Sequence, residues 1–172
     1  MREAQSSPIF LEDYLPPPFL VDDIHLEFCL NEDYTRVHST LSIKRNPAVE
    51  NCQDIFLDGE ELELGNIAID DNVLKGEQYQ VQEKGLKIFS VPDDFKLTIS
   101  VTIKPQLNTR LEGLYKSRRM FCTQCEAEGF RKITYYPDRP DILAKFVVII
   151  DAEEQRYPVL LSNGDLHAEK SI

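Results

Sequence analysis

The stretch FKLTISVTIKP, residues 95–105, decides how the rest of the chain is read. Phe95, Leu97, Ile99, Val101 and Ile103 alternate without a break against Lys96, Thr98, Ser100, Thr102 and Lys104. Successive side chains of a strand point to opposite faces, so this pattern predicts a strand with one apolar and one polar face. The same period recurs toward the N-terminus. In IHLEFCL (24–30), Ile24, Leu26, Phe28 and Leu30 share a face against His25, Glu27 and Cys29. In RVHSTLSIKR (36–45), Val37, Leu41 and Ile43 do the same, and Asn31-Glu32-Asp33 between the two supplies turn residues. Arg45-Asn46-Pro47 closes the second run.

Shorter pieces continue the pattern: DIFLDGEELEL (54–64), NIAID (66–70) and YQVQEKGLKIFSV (79–91). Turn signals recur at Asp58-Gly59, Asp70-Asp71-Asn72, Lys75-Gly76 and Lys84-Gly85. Many short strands at regular spacing predict an all-β, mostly antiparallel β-sandwich. Three consecutive prolines, Pro16 to Pro18, lack backbone donors and favour an extended approach to the first strand. Residues 1–7 are polar and read as a flexible tail ahead of one β domain over 8–172. Residues 106–120 read as a connection or irregular strand. Asp141 is placed to cap a single helical turn over Ile142–Phe146. FVVIIDAEEQRYPVLLSNG (146–164) reads as two strands joined near Ala152-Glu153-Glu154. Asn163-Gly164 is a hairpin signal with too little chain after it for a return strand, so the domain reads as lacking its last strands.

Composition narrows the function. The chain has 172 residues, 42% of them hydrophobic, and a formal net charge of −11. That length suits one domain with a sizeable core. The acidic balance disfavours nucleic acid and anionic membrane surfaces, and it tolerates a cationic ligand such as a free amine. No apolar run reaches the roughly 20 residues that span a bilayer, and the N-terminus has no signal-type apolar stretch. A cytoplasmic setting follows, with Cys29, Cys52, Cys122 and Cys125 as reduced thiols.

FCTQCEAEGF (121–130) holds the chemistry worth weighing. Its C-x-x-C lacks two further ligands at the spacing of a zinc knuckle. It also lacks the strand-to-helix context of a redox pair. Packing cysteines are the simpler reading. No His-Glu-x-x-His, Gly-x-Ser-x-Gly or phosphate-binding loop occurs, and His25, His38 and His167 are scattered. If 121–130 is extended, Gln124 and Glu126 project side by side and Cys125 faces the other layer. A carboxylate beside an amide oxygen suits a primary ammonium. A solvated strand edge is the bland alternative.

The run GLYKS (113–117) followed by CTQCEAEGFRKITYYPDRPDILAKF (122–146) resembles the bacterial-type aminopeptidase N family of zinc metallopeptidases. DYLPPPFLVDDIHLEF (13–28), STLSIKRNP (39–47), LDGEELEL (57–64) and YPVLLSNG (157–164) fit the same order. The likeness covers nearly the whole chain from about residue 8. It implies a saddle-like, twisted N-terminal β domain. The catalytic domain that follows in family members carries Gly-x-Met-Glu-Asn and the zinc motif, and is absent here.

The family's Gln-x-Glu motif falls on Gln124 and Glu126. The resemblance implies that Glu126 helps to bind the substrate's free α-amine and that Gln124 lines the pocket for the first side chain. Zinc, bound outside this chain, would polarise the scissile carbonyl and activate a water. The implied role is release of N-terminal amino acids in peptide catabolism. The implied partners are peptide N-termini and the catalytic domain of the same polypeptide. This chain by itself is expected to hold no catalytic or metal-binding residue and to be inactive. The same likeness gives Arg131, Asp138, Arg139 and Asp141 bracing roles and has Tyr135 and Tyr136 pack; Arg118-Arg119 is a departure from it. A non-catalytic β-sandwich interaction module is the rival reading, and a small thiol redox protein a third.

Overall fold

The alternating run of 95–103 sits within one long strand, Asp94–Ile103, at the middle of the largest sheet. The computed structural model describes residues 10–50 and 52–170. Their strands are β1 (Phe19–Leu30), β2 (Thr35–Arg45), β3 (Ile55–Asp58), β4 (Glu63–Ile69), β5 (Asn72–Val73), β6 (Tyr79–Gln82), β7 (Gly85–Ile88), β8 (Asp94–Ile103), β9 (Gly113–Ser117), β10 (Met120–Gln124) and β11 (Lys145–Asp151). Helical geometry among these residues is limited to 3-10 turns at Leu11–Asp13, Pro105–Leu107 and Phe130–Lys132. The tail expected at 1–7 lies outside the described residues.

Six strands form the main sheet in the order β11-β1-β2-β8-β4-β5. All its pairs are antiparallel except β1 with β11, which is parallel with Asp23 opposite Lys145. A second sheet has the order β3-β7-β6, and β9 with β10 forms a separate hairpin. The apolar faces meet in one core. Ile24, Leu41, Ile43, Leu97 and Ile99 come from the main sheet, and Ile55, Leu57, Leu86 and Ile88 from the second. Each is at most 2% exposed, and burial of such a side chain contributes ~1.5–3 kcal/mol. The all-β, mostly antiparallel sandwich is therefore the observed architecture. Asn46 donates from Nδ2 to the Pro17 carbonyl at 2.7 Å, anchoring the approach to β1, which bends at Pro18.

Two local expectations fail. No helical turn forms over 142–146; Asp141 instead accepts from Arg139 (2.9 and 2.7 Å) and from the Tyr14 hydroxyl (3.0 Å), and Phe146 already belongs to β11. A carboxylate engaged by a guanidinium and a phenol is not available to cap. Residues 157–162 form no strand either. Val159 and Leu161 are 71% and 85% exposed, and no neighbouring strand among the described residues offers them a ladder.

Candidate functional site

Two consecutive turns build the region around Gln124 and Glu126. The first joins β9 to β10 through Arg118-Arg119, with Ser117 opposite Met120 and φ +55 at Arg118. The arginine pair is thus the tip of a tight hairpin, which accounts for two adjacent positive charges held out in solvent. The register then runs down the hairpin and ends with Gln124 opposite Gly113.

At Gln124 the strand stops. Gly129 donates its N–H to the Cys125 carbonyl at 2.9 Å, closing residues 125–129 into a turn that leads into the 3-10 turn of 130–132. The expectation of an extended 121–130 is corrected here, because only Gln124 of the pair lies on a strand. Glu126 stands in the turn, and its peptide bond to Ala127 is cis. The two remain neighbours by turn geometry: the Gln124 amide donates to the Glu126 carbonyl at 3.5 Å. Both are exposed, while Cys125 is half-buried against the core.

Glycine is required at the end of this turn, Gly129, and opposite its start, at Gly113. Gly113 has φ +70, and a side chain there would meet Lys132 Cβ at 2.7 Å. A side chain at Gly129 would meet the Gln124 carbonyl oxygen at 2.6 Å.

The two carboxylates beside the turn differ. Glu128 pairs with Arg131 at 3.2 Å, whereas no cation pairs with Glu126 among the described residues. Arg131 is otherwise committed. Its Nε lies 2.9 Å from Asp138, and it reaches Asp58 at 3.8 Å. Burial opposes its charge, but the hydrogen bond to Asp138 and the surrounding carboxylates outweigh burial and raise its pKa. Asp138 also accepts from the Arg131 N–H at 3.1 Å, and its own N–H donates to Asp58 at 3.0 Å. Arg131, Asp138, Arg139 and Asp141 therefore brace the segment after the motif, as expected of them. Tyr135 and Tyr136 are buried, and Phe130 stands edge-on to Tyr136 at 4.9 Å.

Cys122 lies on β10 and Cys125 opens the turn, so neither stands at a helix N-terminus. Cys122 and Cys125 are free thiols, and burial, with the Asp138 charge second, pushes the Cys125 thiol up to about 11. Cys125 is thus unsuited to be the attacking thiol of a redox pair, which needs the opposite shift. Among the described residues no three His, Cys, Asp or Glu side chains gather as a metal-ligating group. His38 instead shares a 2.7 Å hydrogen bond with Ser100. These residues do not fit a zinc ion. No helix among them is long and apolar enough to cross a membrane.

A groove of about 360 Å³ lies beside the hairpin, lined by Phe28, Phe121, Val148, Ile150, Tyr157 and Leu160 among others. Neither Gln124 nor Glu126 lines it.

The family model described as the Peptidase M1 N-terminal domain matches residues 20–171. The chain belongs to that family. Among curated M1 relatives, the aminopeptidase N of Caulobacter vibrioides is 44% identical over 172 residues, all of this chain and 20% of the relative. The aminopeptidase N of Escherichia coli is 42% identical over 163 residues, 95% of this chain and 18% of the relative. A solved structure of Legionella pneumophila aminopeptidase A, in complex with aspartic acid, superposes with a TM-score of 0.87 at 34% identity. That match covers 94% of this chain and 19% of that one. The chain thus spans about a fifth of the length of these M1 relatives.

Sequence reasoning passed over Lys132, Gly113 and Gly129, the residues that pack behind the Gln124–Glu126 turn. The two glycines flanking the motif were a signal for the tight backbone approach. Nothing in the sequence marked Lys132.

Proposed function

We propose that this M1 N-terminal domain serves a cytosolic, zinc-dependent aminopeptidase that releases N-terminal amino acids from peptides. In this reading Glu126 binds the substrate's α-ammonium and Gln124 lines the pocket for the first side chain. One observation carries it. Glu126 is an exposed carboxylate that no cation neutralises among the described residues, and it stands at the end of a turn fixed by close backbone packing. An ammonium placed there gains a charge-assisted hydrogen bond, with the neighbouring amide as a further acceptor. A second carboxylate, from the catalytic domain that the resemblance implies, would complete the subsite. Two carboxylates around one ammonium reject an acylated amine, which would leave both unpaired. The zinc ligands of such an enzyme lie outside this chain, so its own residues bind and orient.

In the full-length enzyme, Glu126→Ala should raise KM for an amino-acid amide roughly tenfold to a hundredfold, as loss of a hydrogen bond to a charged group predicts. Zinc content should not change. The 172-residue chain alone should neither hydrolyse an alanyl reporter amide nor bind zinc one per chain. An unchanged KM sinks the assignment of Glu126.

The interaction-module reading draws on a different observation. Val147 and Ile149, two apart on one face of β11, are 43% and 51% exposed, an apolar face suited to docking. The catalytic domain of the same polypeptide would satisfy it in the enzyme reading. A His-Glu-x-x-His motif in frame downstream decides for the enzyme, and a stop codon after Ile172 for the module.

A further inference from the structure

Lys132 is a buried ammonium whose surroundings tie two loops to the Gln124–Glu126 turn. Its side chain is 4% exposed. Its Nζ lies 3.6 Å from Glu60, 3.6 Å from Glu61 and 3.7 Å from Glu112, and it makes no hydrogen bond within the structure. A lysine is rarely this buried without close hydrogen-bonded partners. The three carboxylates come from two loops. Glu60 and Glu61 lie in the loop between β3 and β4, and Glu112 immediately precedes β9. One buried positive charge shared among three partly exposed carboxylates holds these loops at a common point.

That point is directly behind the site. Lys132 Cβ is the atom that a side chain on Gly113 would strike, at 2.7 Å, and Gly113 is the ladder partner of Gln124. The Lys132 N–H donates to the Gly129 carbonyl at 3.2 Å, and the Gly129 N–H donates to the Cys125 carbonyl, one residue before Glu126. Glu60 joins the same assembly through its backbone, donating its N–H to the Arg131 carbonyl at 3.0 Å. Lys132 is therefore linked to both members of the pair at one remove, to Gln124 through Gly113 and to Glu126 through Gly129 and Cys125.

We infer that Lys132 is a positioning residue for the amine subsite: its ammonium, drawn to Glu60, Glu61 and Glu112, sets the height at which the 124–129 turn presents Glu126. This rests on the amine-binding role proposed above. Lys132 touches neither the substrate nor Glu126. Its loss should thus weaken recognition of the amine while leaving the chemical step intact.

The test uses the full-length zinc-loaded enzyme and two inhibitors, free phenylalanine and its des-amino analogue 3-phenylpropionate. Glu126→Ala should reduce the preference for the amine-bearing inhibitor. Lys132→Met keeps the stem and removes the charge. It should reduce the same preference about tenfold, in line with a sub-ångström misplacement of a binding group, with kcat and zinc content near the parent value. Glu112→Gln, altering an exposed end of the cluster, serves if Lys132→Met does not fold, and should move the preference in the same direction. The double variant Glu126→Ala/Lys132→Met should be no worse than Glu126→Ala, because Lys132 acts through Glu126. If Glu126→Ala leaves the preference unchanged, the amine-subsite reading fails, and the Lys132 role with it. If Glu126→Ala reduces it while Lys132→Met and Glu112→Gln do not, the Lys132 role alone is overturned. A fall in kcat with an unchanged preference would likewise overturn it, leaving Lys132 a purely structural ion.

Discussion

Replacing Gly129 by alanine should damage the proposed amine subsite without removing any polar group. Gly129 has φ −94 and ψ −10, a backbone that any L residue adopts, so the effect is steric alone. The added methyl would sit 2.6 Å from the Gln124 carbonyl oxygen, 3.0 Å from Cys125 Cα and 3.1 Å from the Gly113 nitrogen. All three are backbone atoms, and none can swing aside as a side-chain tip would. Ordinary contact begins at 3.4 Å, so Gln124 and Gly129 must part by more than about half an ångström. The Cys125–Gly129 hydrogen bond, which closes the turn, has to stretch with them. Overpacking of this kind destabilises by ~1–3 kcal/mol. A misplacement of ~1 Å in a binding group can reduce turnover efficiency about a hundredfold, so half that distance should raise KM for an amino-acid amide about tenfold. Steady-state kinetics on the full-length enzyme, with zinc analysis and a thermal melt, read all three quantities. Gly76→Ala is the control: a Cβ there meets nothing within 4 Å, and KM should not change. If Gly129→Ala folds with the parent KM and the parent melting temperature, the tight approach behind Glu126 is not what positions it.

Two further outcomes concern neighbouring groups. The Lys116 ammonium at 2.7 Å, the Tyr157 hydroxyl at 2.6 Å and Arg156 at 3.4 Å hold the Glu32 carboxyl down to about 2. Its folded pKa is depressed, so its attachment of the 153–157 segment is intact above the ordinary 4.5 and is lost as pH falls toward about 2. The Tyr157 ring resonance, in contact with Phe121 at 5.2 Å, should follow that window in isotope-labelled protein and lose its pH dependence in Glu32→Gln. Cys125, with its thiol pushed up to about 11, should resist iodoacetamide at neutral pH until the protein is denatured. Rapid native-state labelling of Cys125, read by mass spectrometry, would revive the redox reading.

The sequence made the centre of the fold legible and its margins less so. The apolar face of β8 was plain because it is half-buried between two strands, and a strict period of two is what such a position demands. The β9–β10 hairpin was missed because Arg118-Arg119 carries none of the usual turn residues; Arg118 takes a positive φ without glycine's freedom. Parallel pairing of β11 with β1 left no local trace, since nothing in Lys145–Asp151 names its partner. At the candidate site, the types of Gln124 and Glu126 pointed to an ammonium, but the reason for their proximity did not follow from strand alternation. A turn stitched by Gly113, Gly129 and Lys132 brings them together, and those contacts are long-range or steric. Residues 157–162 are apolar enough for a strand, yet without a ladder partner they form none.

The parallel β1–β11 pair also orders events during synthesis. Asp23 and Lys145 are about 120 residues apart in the chain, so at ~5–20 residues per second the outer edge of β1 stays open for roughly 6–24 s on the ribosome. An open edge of that length is a template for pairing with another nascent chain. Asp22, Asp23 and Glu27 stand along that strand, and the first of them is held by Lys44 of β2 at 2.6 Å. Charges placed along such an edge disfavour intermolecular pairing until a closing strand emerges.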